Sequence, residues 1–179
     1  MAVAEMLHSF TFEEYWALES DMGAKHELIE GQLYAMSGGS LRHATVIGRI
    51  LRAVGDAADA EGCRPYASDA LVKAAGDWYY PDVMVACGDP PDDRYEDSPC
   101  LLVEVGSPST VRTDRREKRD AYLKIPTLLT YILADPDGDV WQVYQRIGGA
   151  WQSSILSVTD HLTLECPTVT LDIGAIHRR

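Results

Sequence analysis

Residues 99–110 read PCLLVEVGSPST, and the architecture can be built outward from them. The apolar run from Leu101 to Val105 carries one acid, Glu104, and stops at a Gly-Ser-Pro-Ser turn. A short apolar run closed by turn residues reads as a strand covered on both faces. Strand side chains alternate, so Leu102, Glu104 and Gly106 point one way and Leu101, Val103 and Val105 the other. Glu104 therefore stands among covered residues. A buried carboxylate is costly unless it is paired, hydrogen-bonded or bound to metal.

Upstream, Asp82 has a similar setting, between Tyr80-Pro81 and the apolar Val83, Met84 and Val85. Pro81 marks a strand start or a bend. If the two strands pair, Asp82 and Glu104 reach one point at the end of a sheet, and two convergent carboxylates suit a hard divalent cation. Acids make up 28 of 179 residues, so such pairs also arise by chance. The competing reading has Asp82 capping a turn and Glu104 paired with an arginine. Downstream, Asp114 and Lys118 share a helix face, and Tyr122 continues it. Lys118 is then either an i,i+4 surface salt bridge or an ammonium aimed at a phosphate.

Around these residues the pattern is mixed α/β. Thr11 and Glu14 form a capping box for a helix to about Ser20. Glu30-Gly31 is a hairpin turn between two short strands. Leu41, Ala44, Ile47, Leu51, Val54 and Ala58 recur at helical spacing, with Ser40 as the cap and Gly62 as the stop. Strands are expected over 64–74, 78–87 and 100–106. A helix over 114–124 follows, capped by Asp114 and ended by Pro126. A hairpin then turns at Asp135-Pro136-Asp137-Gly138, with further strands near 150–158 and 161–165.

The totals fit one domain over residues 1–179, with a core over about 25–146. A chain of this size buries roughly 70% of its unfolded surface. No run reaches the roughly 18 apolar residues of a membrane span, and the first ten residues lack a secretion-signal pattern. A cytoplasmic location is expected, with Cys63, Cys87, Cys100 and Cys166 as reduced thiols. None of the four falls in a C-x-x-C spacing, so zinc is not suggested. The net charge of −12 argues against broad nucleic-acid binding. However, six of the 16 Lys and Arg residues fall within 112–124, a local basic patch. The histidines 8, 26, 161 and 177 show no metal spacing.

The strings PDVMV, LLVEVGSPST, Asp114-x-x-x-Lys118 and AYLKIPTLLTYILADP, preceded by ELIEGQL and His43, resemble a bacterial restriction-endonuclease family of the PD-(D/E)xK superfamily. The resemblance covers roughly residues 11–146. It implies a restriction-endonuclease-like αβββαβ core with added C-terminal strands, and Mg²⁺-dependent (or Mn²⁺-dependent) hydrolysis of DNA phosphodiesters. Asp82 and Glu104 match the motif acids and, with the Val105 carbonyl, would hold the metal. The superfamily lysine usually stands two residues after the Glu, where this chain has Gly106; Lys118 matches a relocated lysine. Glu27 (in preference to Glu30), His43 and Asp114 match supporting positions. Arg112, Arg115, Arg116 and Arg119 would meet DNA phosphates. Leu129-Thr130-Tyr131 and Thr127-Leu128 depart from the family pattern without touching these residues.

Two other readings compete. One is a catalytically inactive nuclease-fold module that binds DNA or dimerises through its hairpins at Trp141, Tyr144 and Trp151, although such rings more often just pack the sheet. The other is a phosphoesterase for a small nucleotide. A homodimer would suit two-strand cutting.

Overall fold

A computed structural model describes residues 8–19, 21–106 and 112–178, with only the helical backbone given for 112–115. The expected turn after Gly106, the helix end at Ser20, and the side chains of Arg112, Asp114 and Arg115 lie outside the described residues.

Helix α1 (Phe12–Glu19) is closed by the expected box: Thr11 N–H donates to Glu14 Oε2 at 2.8 Å and Glu14 N–H to Thr11 Oγ1 at 3.3 Å. Strands β1 (His26–Ile29) and β2 (Gln32–Ala35) join through Glu30 (φ 49°) and Gly31 (φ 74°), the two-residue turn that suits strand twist. Helix α2 (Leu41–Ala60) starts at Ser40, whose side chain accepts from His43 N–H. Its buried stripe is Val46, Ile47, Ile50, Val54 and Ala58. Leu41 and Ala44, expected on that stripe, are exposed.

The two long strands expected next are each broken. Strand β3 (Cys63–Ala67) is separated from β4 (Leu71–Ala74) by a turn at Ser68-Asp69. Likewise β5 (Asp77–Tyr79) is separated from β6 (Val83–Cys87) at Tyr80-Pro81-Asp82. Pro81 has no N–H for a ladder, so the chain leaves one sheet and enters another there. Then come β7 (Tyr95–Glu96), β8 (Pro99–Val105) and helix α3 (Arg112–Tyr122). Because α3 begins at Arg112, Asp114 lies inside its first turn rather than at the cap. The chain ends with β9 (Thr130–Ala134), β10 (Val140–Ile147), β11 (Ala150–Ser157), β12 (His161–Glu165), β13 (Thr168–Asp172) and α4 (Ile173–His177). The last two elements were not foreseen.

The central sheet has the order β11-β10-β9-β8-β6-β3. Its β8–β9 pair is parallel, joined by the α3 crossover; the other pairs are antiparallel. The path α2-β3-β6-β8-α3-β9 is the expected αβββαβ core. A second sheet, β2-β1-β5-β4-β7, and the β12–β13 hairpin flank it. Val83, Val85, Leu101, Val103 and Val105 face α2, whereas Met84, Leu102 and Tyr131 face Tyr122 of α3 and Tyr79. The alternation read in residues 101–105 therefore separates two cores.

The aromatic hairpin surface is corrected. Trp141 is fully buried, with its Nε1–H donating to His177 Nε2 at 2.7 Å, and Trp151 Nε1–H donates to Leu123 O at 2.9 Å. Trp141 therefore packs the core and is no part of a surface, whereas Trp151 stays half-buried. Reduced thiols are also corrected: Cys63 pairs with Cys87, and Cys100 with Cys166. Antiparallel register sets Cys63 across from Cys87, a juxtaposition invisible in their sequence spacing. Among the described residues no helix is long and apolar enough to cross a membrane.

Candidate active site

Strands β6 and β8 run antiparallel, with Val83 opposite Val103. Carried one residue further, that register sets Asp82 across from Glu104. Asp82 lies just outside β6, and its carboxylate turns onto the C-terminal end of β8. Val105 N–H donates to Asp82 Oδ2 at 2.7 Å, and His43 Nε2 lies 3.3 Å from the same oxygen. His43 belongs to the first turn of α2, whose Ser40 cap anchors its backbone. Gly39 makes room for its ring: a Cβ at that position would overlap the His43 imidazole.

Lys118 and Tyr122 are four residues apart on α3 and share a face. Both reach Glu104. Tyr122 OH donates to Glu104 Oε1 at 2.9 Å, and Lys118 Nζ lies 3.7 Å from the same atom. The shorter contact of Lys118 is to Glu27 Oε1, at 2.7 Å. Glu27, on β1 of the second sheet, also accepts from Tyr80 N–H at 3.0 Å. Glu27 is 4% exposed and Lys118 8% exposed. This burial removes the reading of Lys118 as a solvated surface salt bridge. The alternative arginine partner for Glu104 is replaced by Lys118 and Tyr122.

Two carboxylates from different sheets thus flank one ammonium, and the charge of a third, Asp82, acts on Glu104. Burial pushes the Glu104 carboxyl up to about 8. Lys118 opposes that rise, the charges of Asp82 and Glu27 add to it, and the Tyr122 hydrogen bond lowers it. Burial, reinforced by the Glu104 charge, holds the Tyr122 hydroxyl well above its usual range, so it stays a donor. A site short of positive charge, with oxygen donors on adjacent strands, fits a hard divalent cation, which would favour the ionised form of Glu104.

The structure therefore brings Glu27, His43, Asp82, Glu104 and Lys118 together. Glu30 instead occupies the β1–β2 turn, where its N–H donates to Asp77 Oδ1 at 2.8 Å. Val105 meets Asp82 through its amide. On α3, Arg116 is exposed, while Arg119 is engaged with Asp120 at 2.6 Å. Three participants escaped sequence reasoning: the Tyr122 hydroxyl as a Glu104 donor, the Tyr80 amide, and Gly39. Only Tyr122 carried a signal, its four-residue spacing from Lys118.

Comparison with known proteins bears on the family and the fold. The chain is 33% identical over 172 residues to the uncharacterized protein slr1290 of Synechocystis sp., covering 93% of this chain and 90% of that protein. It is 27% identical over 157 residues to sll1609 of the same organism, covering 83% and 87%. Its fold matches the crystal structure of a putative nuclease belonging to DUF820 from Anabaena variabilis. That match has a TM-score of 0.74 at 15% identity, over 94% of this chain and 97% of that one. The Uma2 family profile, described as putative restriction endonuclease, matches residues 12–174. Because that match spans nearly all of the chain, the protein belongs to the Uma2 family.

Proposed function

We propose that this protein is a divalent-metal-dependent endonuclease that hydrolyses DNA phosphodiester bonds where Asp82 and Glu104 meet at the ends of β6 and β8. The observation that carries the reading is the Lys118 ammonium, nearly closed to solvent and held by Glu27 within 3.7 Å of Glu104. A lysine kept only for solubility would not be buried beside an acid pair.

Asp82 and Glu104, with the Val105 carbonyl, would hold Mg²⁺ or Mn²⁺. A cation bound there supplies an acidified water and a polarised scissile phosphate. His43 and the Val105 amide orient Asp82; Tyr122 orients Glu104. Lys118 aligns the attacking water and offsets charge growing on the phosphoryl oxygens. Glu27 fixes the position of that ammonium, which replaces the amine that Gly106 cannot supply. Arg112, Arg115, Arg116 and Arg119 of α3 receive neighbouring phosphates, so an acidic chain engages DNA locally. Two copies, each cutting one strand, would give a double-strand break.

The test is plasmid nicking by the full chain with Mg²⁺ or Mn²⁺, with a chelator as control. Nicking should require the metal and disappear in Asp82→Ala and Glu104→Ala, with unchanged far-UV circular dichroism. A variant that cuts as well as the parent overturns the ligand assignment. A parent that never cuts leaves the non-catalytic scaffold as the reading.

A further inference from the structure

We propose that Cys63, Cys87, Cys100 and Cys166 form a four-thiolate site for a soft divalent cation, best zinc, with the two disulfides as its oxidised form. This sulfur site is separate from the proposed nuclease centre. The four cysteines come from the start of β3, the end of β6, the start of β8 and the β12–β13 turn. Asp82 and Cys87 lie at opposite ends of β6, about 16 Å apart at the usual rise per strand residue. Glu104 and Cys100 likewise lie towards opposite ends of β8. The sulfurs therefore gather away from the acids.

The two disulfides are not independent staples. Cys87 Sγ lies 3.4 Å from Cys166 Sγ and 4.0 Å from Cys100 Sγ, so it touches both sulfurs of the other bridge. The sulfurs of Cys63, Cys87 and Cys166 all lie within 4.8 Å of one another. Zinc–sulfur bonds of about 2.3 Å in a tetrahedron separate the sulfurs by about 3.8 Å, and the two contacts made by Cys87 bracket that spacing. Among the described residues, Cys63, Cys87 and Cys166 form the one group of three or more metal-ligating side chains so closely gathered, and Cys100 adjoins it through Cys166 and its 4.0 Å approach to Cys87. A lone loop staple requires no such convergence, whereas a tetrahedral site does. No pair has the C-x-x-C spacing because antiparallel pairing and a hairpin turn, not a local knuckle, bring the ligands together. Cys63 and Cys100 are buried. Buried thiols without a cation resist ionisation, and zinc would hold them as thiolates.

The interconversion balances. Each disulfide accepts two electrons and two protons from a dithiol reductant, which becomes a disulfide itself, so two equivalents yield four thiols. Zinc then binds four thiolates, and the four protons pass to solvent.

The full chain should be reduced with a phosphine, its native free thiols counted, and zinc or cobalt added before gel filtration. The expected result is four titratable thiols, one zinc retained per chain, and a cobalt form with the absorption of tetrahedral thiolate coordination. Adding a disulfide oxidant should release the metal. Cys87→Ser and Cys166→Ser should lose retention. Four free thiols in a folded chain that retains no zinc overturn the proposal. So do bridges that resist reduction in the folded chain, or retention unchanged in Cys87→Ser. Should a serine variant fail to fold, the parent's cobalt spectrum decides, and absence of thiolate bands overturns the site.

Discussion

Lys118 on α3 donates to Glu27 Oε1 on β1 at 2.7 Å, and both side chains are nearly closed to solvent. This pair ties the crossover helix to the second sheet and sets the ammonium beside Glu104. Removing one partner of a buried ion pair leaves an uncompensated charge, a loss of about 3–5 kcal/mol. Lys118→Met and Glu27→Gln should each lower the urea midpoint accordingly. The double variant should cost clearly less than the two losses added. Additive losses would show that the pair is not coupled.

Glu104 makes stability depend on pH in a definite direction. Its carboxyl, ordinarily near 4.5, is pushed up to about 8 by burial and by the charges of Asp82 and Glu27, against the opposing effect of Lys118. Between those values the folded chain keeps a proton that the unfolded chain releases. The associated stability is complete below about pH 4.5 and is lost as pH rises through 8. Metal-free protein should therefore show a urea midpoint that falls over this window from the Glu104 contribution. Glu104→Gln should flatten the profile and be the more stable form at pH 9. An unchanged slope in Glu104→Gln would remove Glu104 as the source.

At the proposed metal site the same proton would compete with a cation. Calorimetric affinity for Mn²⁺ should rise steeply from pH 6 to pH 8.5 as Glu104 ionises. Tyr122→Phe deletes the hydroxyl that lowers the Glu104 value, so its affinity profile should shift to higher pH. The stability cost should be about 1–2 kcal/mol, because the ring still packs edge-on against Tyr79 and Tyr131. A Tyr122→Phe profile that overlays the parent would show that the hydroxyl does not tune Glu104.

Gly39→Ala tests the seat of His43. The added methyl would collide with the imidazole and push it from Asp82, while the rest of α2 is untouched. Mn²⁺ affinity and nicking should drop together, with far-UV circular dichroism unchanged. Parent-like values would mean that His43 does not position Asp82.

What the residues determined by themselves was local. The Thr11–Glu14 box, the Ser40 cap and the Glu30-Gly31 turn are decided within a few bonds, by hydrogen-bonding reach and by φ. Alternation placed Glu104 on the face opposite Val103 and Val105, and helical spacing placed Lys118 with Tyr122. Pro81 announced a break but not that the chain changes sheets there. Tertiary structure alone decided which strands meet and in what register. That register sets Asp82 opposite Glu104, turns Lys118 towards a glutamate on another sheet, and brings two disulfides made of four widely spaced cysteines into contact. The physical reason is that strand pairing and crossover docking are chosen by the apolar surface buried across the whole fold. Side chains far apart in sequence become neighbours through that choice, and no local periodicity records it.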